Sequence, residues 1–167
     1  MTAVLRNESR RLRRGSLILG GLFGMLTAFF LAVFPAIRDE SELIMDAYPE
    51  CMIGLLGIEE LHTIEGFAAW YIYPFVWVLF AGSYFAYVGA GTISGDIQSR
   101  KLDLTLSNPV SRESVLIQKV AALWVPLVAL NLAVMAALFA GAAVFGEEID
   151  PVALAMVHVL GVPYLLV

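Results

Sequence analysis

Residues Phe67–Lys119 read FAAWYIYPFVWVLFAGSYFAYVGAGTI and then SGDIQSRKLDLTLSNPVSRESVLIQK. The first part, Phe67–Ile93, is 27 residues without Asp, Glu, Lys, Arg or His. The second, Ser94–Lys119, carries four of the chain's ten basic residues: Arg100, Lys101, Arg112 and Lys119. About 20 apolar residues suffice for a helix to cross roughly 30 Å of hydrocarbon. The first part is therefore predicted to span a membrane, and the second to be a loop in water.

The same contrast repeats on both sides. Gly15–Ile37 (23 residues) and Val120–Phe145 (26 residues) are equally free of charge, and Val152–Val167 is interrupted only by His158. The expected fold is an all-α polytopic helical membrane protein, with three complete transmembrane helices and a partial fourth. It forms one domain over 1–167. Segment 1–14 is a cytoplasmic N-terminal stretch, 15–37 span 1, 38–66 an outer loop, and 67–93 span 2. A cytoplasmic loop over 94–119, span 3 over 120–145, an outer loop over 146–151 and a partial span 4 over 152–167 complete it. Composition agrees: 60% of residues are hydrophobic and 15% charged, against about 45–50% and 25% in soluble domains. Mean hydropathy is +0.82. The first run is too long for a signal peptide and has no small-residue cleavage site before a soluble domain. Cys51 is the one cysteine, so no disulfide forms within the chain.

Charge sets the expected orientation. Arg6, Arg10, Arg11, Arg13 and Arg14 precede span 1 and four more basic residues follow span 2, leaving only Arg38 on the other side. That side holds eleven of the fifteen acids, giving −10 (1 − 11) against +5 (9 − 4). The positive-inside bias then places the N-terminus and the 94–119 loop in the cytoplasm of a cell-membrane protein. The arginines serve topology and anionic lipid headgroups, so nucleic acid is not an expected partner. Met1–Arg14 reads either as a short helix on the inner surface or as a disordered basic anchor.

Small residues recur every four positions. Ser16, Gly20, Gly24, Ala28, Ala32 and Ala36 line span 1; Gly82, Ala86, Ala90 and Ser94 line span 2; Ala129, Ala133, Ala137 and Gly141 line span 3. Such seams let membrane helices approach closely, and three of them predict a packed bundle. Pro74 and Pro126 each remove a backbone donor and predict kinks, for a hinge or for static packing. Trp70, Tyr71 and Tyr73 are placed in an interfacial aromatic belt. In the outer loop, Leu43, Ile44, Met52, Leu55 and Ile58 predict a short surface helix broken at Pro49 and Gly57.

Few residues stand in catalytic or ligating patterns. Glu59, Glu60, His62 and Glu65 lack the second histidine or cysteine pair of a zinc site and read as a solvated acidic rim. Asn131 is the one strongly polar residue inside span 3, a candidate for function or for an interhelical hydrogen bond. His158 reads as an interior polar residue. No serine has a plausible base partner. The two lysines, Lys101 and Lys119, are followed by Leu and Val, so neither completes a Gly-x-x-x-x-Gly-Lys-Ser/Thr phosphate loop. ATP-driven work would need a separate polypeptide.

The 94–119 segment resembles the cytoplasmic loop of ABC type-2 transporter permeases. Those proteins show an acid after span 2, then Gly-Thr-Leu, further leucines, Pro-Val-Ser-Arg, and a lysine before span 3. The matching residues are Asp96, Leu102, Leu104, Leu106, Pro109, Val110, Ser111, Arg112 and Lys119. Asp96 replaces the usual Glu, and Arg100-Lys101 stands where Gly-Thr is common. The arginine-rich N-terminus is similar to the family's amphipathic first helix. The resemblance implies a coupling helix built on Asp96, Leu102, Leu106, Pro109 and Arg112 that docks on an ABC ATP-binding subunit. It implies a second permease copy or paralogue as a dimer partner, ATP held only by the partner subunit, no cofactor and no enzyme activity in this chain, and membership of a six-span bundle of which this chain supplies part. Leu102 and Leu106 share a helical face; Pro109 ends that helix; Ser111 caps the next, with Ser114 at its third position. A non-transporting membrane anchor or assembly factor for a cytoplasmic partner is the alternative.

Overall fold

The computed structural model describes residues 3–98 and 111–166, and among these every regular element is helical. Three helices are long and apolar enough to cross a membrane: Leu5–Asp39, Ile64–Thr92 and Arg112–Phe145. A shorter apolar helix covers Pro151–Leu166.

The first rod differs from the expectation at both ends. Helix α1 runs unbroken from Ala3 to Leu31, so the arginine-rich stretch is neither a separate surface helix nor a disordered anchor. Gly15 does not interrupt it, because nothing in that stretch removes a backbone donor. A turn at Ala32–Val33 separates α1 from α2 (Phe34–Asp39), which carries Pro35 in its first turn. The third rod has the same design: α7 (Arg112–Ala122), a turn at Leu123, then α8 (Trp124–Phe145) with Pro126 in the first turn. A proline is tolerated there because the first N–H groups of a helix lack internal partners anyway. The predicted kink at Pro126 is thus a break three residues earlier.

Span 2 absorbs its proline differently. After the short helix α5 (Ile64–Phe67), residues Ala68–Ala81 wind as a 14-residue π-helix containing Pro74, and α6 (Gly82–Gln98) continues from it. Proline clashes with the carbonyl four residues back in an α-helix, and the wider i→i+5 winding relieves that clash. Such winding is usually confined to single turns.

The connecting segment between spans 1 and 2 holds α3 (Ser41–Asp46) and α4 (Glu50–Leu56). Pro49 precedes α4 in extended conformation, and Gly57 ends it at φ 66°. Ile58, Leu61 and Ile64 then turn inward and are buried. The chain re-enters the bundle at Gly66, where any Cβ would overlap the Glu60 carbonyl. Asp150 starts α9 (Pro151–Leu166), its carboxylate accepting from the Val152 N–H at 2.8 Å.

The core lies where α1, the π segment and α8 meet. Phe34, Ile72, Val76, Leu130, Val134 and Leu138 are inaccessible to solvent. The helix pair α1–α8 meets along two of the small-residue seams. A Cβ on Gly20 would lie 3.0 Å from the Ala129 carbonyl oxygen, and one on Gly24 3.4 Å from that of Ala133. Gly141 faces the Leu31 side chain.

Candidate functional site

The helix ends richest in basic residues are tied into one knot. Gln118, at the buried face of α7, accepts the Leu5 N–H through Oε1 at 3.2 Å and donates through Nε2 to Ser114 Oγ at 2.9 Å. It thereby satisfies one of the donors that the start of α1 leaves unpaired. Lys119 is only 4% exposed. Its Nζ donates to the Thr92 carbonyl of α6 at 3.1 Å and lies 3.6 Å from Glu8 Oε1 of α1. The other Glu8 oxygen is 3.5 Å from Arg11. A buried ammonium is tolerated only with a paired carboxylate and hydrogen-bond acceptors, and α1 and α6 each contribute one. Lys119 thus joins three helices. Beside it opens a cavity of about 570 Å³, lined by Glu8, Arg11, Tyr87, Ser94, Gln98 and Lys119 among others.

Of the coupling residues read from the sequence, Asp96 falls within α6, and Arg112 is the exposed first residue of α7. Leu102, Leu106 and Pro109 lie outside the described residues. Ser111 Oγ accepts the Ser114 N–H at 3.2 Å, capping α7 next to Arg112. Gly20 and Gly24 meet α8 through the close approaches to Ala129 and Ala133. Gly82 faces α9, and a Cβ on it would lie 3.1 Å from the Tyr164 hydroxyl, whereas Ala86 is exposed beside a broad groove. Asn131 donates to Leu127 of its own helix at 2.9 Å instead of bridging helices.

The opposite end is acidic. Arg38 pairs with Asp39 at 3.3 Å and with Glu147 at 3.5 Å, closing span 1 onto the end of span 3. Glu65 Oε1 accepts the Asp150 backbone N–H at 3.2 Å. His62 is engaged with the Glu59 carbonyl at 2.8 Å, and among the described residues no group of acids, His and Cys is placed to hold a metal. Trp70 donates its indole N–H to the Leu56 carbonyl at 2.8 Å, pinning the surface helix α4 to span 2.

One constellation is new relative to the sequence pattern. Tyr73, Trp77 and His158 pack edge to face or tilted, with ring centroids 5.4–6.3 Å apart. Tyr73 therefore turns into the bundle. His158 Nδ1 contacts the Leu154 carbonyl at 2.9 Å; that carbonyl can only accept, so Nδ1 carries a proton. Tyr73 Oη, Trp77 Nε1 and His158 Nε2 are buried without a hydrogen-bond partner among the described residues. The available signal was the i, i+4 spacing of Tyr73 and Trp77, which shares a helix face, together with one histidine in an apolar helix.

Comparison with protein-family models, with curated proteins and with solved structures returns no match for this chain.

Proposed function

We propose that this chain is a membrane-spanning permease subunit of an ATP-driven ABC transporter. It couples a separate ATP-binding subunit to substrate movement across the cell membrane. In this reading the N-terminus and the 94–119 segment are cytoplasmic, ATP binds only the partner, and a second permease copy or paralogue completes the transporter. The carrying observation is the 94–119 sequence itself, with Asp96, the leucines, Pro109 and Arg112 in order between two spanning helices. The knot around Lys119 supports it mechanically. A force applied to Arg112 at the start of α7 reaches α1 and α6 within two helical turns, through Gln118 and Lys119.

The test is purification from native membranes. An ATP-binding subunit is expected to co-purify, and Arg112→Glu is expected to lower both its recovery and transport-linked ATP hydrolysis at least tenfold, about 1.4 kcal/mol of docking energy. If no ATPase accompanies the chain and Arg112→Glu changes neither quantity, the coupling reading is wrong and the anchoring role takes its place.

A further inference from the structure

Between span 2 and α9, near the acidic end, lies a second cavity of about 340 Å³. Its size falls in the range of small-molecule sites, roughly 300–1,000 Å³. The walls are apolar: Ala69 on one side, Leu138 at the back, Ala153 and Leu154 on the other side. Two polar residues join them. Glu65 is exposed, and among the described residues no basic side chain pairs with it. Tyr73 contributes an aromatic ring whose hydroxyl is buried without a partner.

This combination selects for charge as well as shape. An anion would meet the Glu65 carboxylate, with Glu148 and Asp150 flanking the wall residue Ile149 in the chain. A neutral hydrocarbon would fill the walls but gain nothing from that carboxylate, which keeps its bond from the Asp150 N–H. An organic cation gains from both, since its apolar body fills the walls and a field of one sign concentrates the opposite charge at a cleft. We propose that this cavity binds an amphiphilic organic cation, with its apolar body between Tyr73, Leu138 and Leu154 and its cationic group at Glu65. The proposal is independent of coupling to an ATPase.

The test uses the full chain in dodecyl maltoside micelles, with empty micelles as background. The probe is radiolabelled trimethylphenylammonium, and the competitor is tert-butylbenzene, which differs by carbon in place of the charged nitrogen. Saturable binding of the cation is expected, with weak displacement by the neutral compound. Glu65→Gln is expected to weaken it about tenfold, as for a partly exposed ion pair. Ala153→Phe and Ala69→Phe, each filling the cavity from a different wall, are expected to remove it at unchanged helical content, whereas Arg112→Glu leaves it intact. Absence of saturable binding, equal displacement by tert-butylbenzene, or indifference to Glu65→Gln and both cavity-filling variants each overturns the proposal.

Discussion

At Lys119 the ammonium group has a carboxylate and a carbonyl as partners and almost no access to solvent. Lys119→Met leaves Glu8 without its buried counter-charge and is expected to cost about 3 kcal/mol. Thermal unfolding in detergent measures this, and adding Glu8→Gln is expected to restore part of the loss, since the two changes are coupled. Two glycines make a sharper pair. Gly54 lies inside α4 with open space around it, so Gly54→Ala is expected to gain about 0.5–1 kcal/mol from helix propensity alone. Gly66 abuts the Glu60 carbonyl, so Gly66→Ala is expected to lose about 1–3 kcal/mol through overpacking. Equal melting temperatures for the two variants would contradict this account of the re-entrant turn.

Between elements, the α1–α8 contact depends on the absence of side chains at two points. Gly20→Leu pushes against the backbone of Ala129 and is expected to destabilise by about 1–3 kcal/mol. Gly21→Leu, one residue on and facing open space, is expected to be at least as stable as the parent, because leucine is the better helix former. Ser111→Ala removes the α7 cap and is expected to cost about 1 kcal/mol, read from the same melting curves. These elements also divide what is legible in the sequence from what is not. The uncharged runs, the breaks at Pro49 and Gly57 and the Ser111 cap follow from local chemistry, which a sequence carries directly. The full length of α1 is hidden because a run of charge looks like a boundary, although arginine is a good helix former. The burial of Lys119 is hidden because its partner Glu8 is 111 positions away and the phase of one helix against another is not a local property. The π winding around Pro74 is hidden for a related reason: proline announces a disturbance but not its form.

For the molecule as a whole, the contacts put the arginine-rich N-terminal end beside α7 and the acidic segments at the opposite end of the bundle. Cys51, the one cysteine, is exposed in α4 at the acidic end. With the proposed orientation, a membrane-impermeant maleimide is expected to label Cys51 on intact cells, without permeabilisation. Labelling only after permeabilisation would reverse the orientation, and with it the side on which an ATPase docks.

The two ends of the bundle are each fastened by an ion pair, but the pairs differ in exposure. Lys119 and Glu8 have side-chain accessibilities of 5% and 16%, whereas Arg38 and Glu147 have 38% and 30%. Dissolved ions screen exposed charges over about 8 Å at physiological ionic strength and about 3 Å at 1 M, and reach buried ones much less. Concentrated electrolyte therefore weakens the fastening between spans 1 and 3 at the acidic end while the three-helix knot at the other end holds. The Arg38–Glu147 fastening thus depends on the ionic composition of the medium, while the packing of Phe34 against Phe67 and Phe145 at the same end does not.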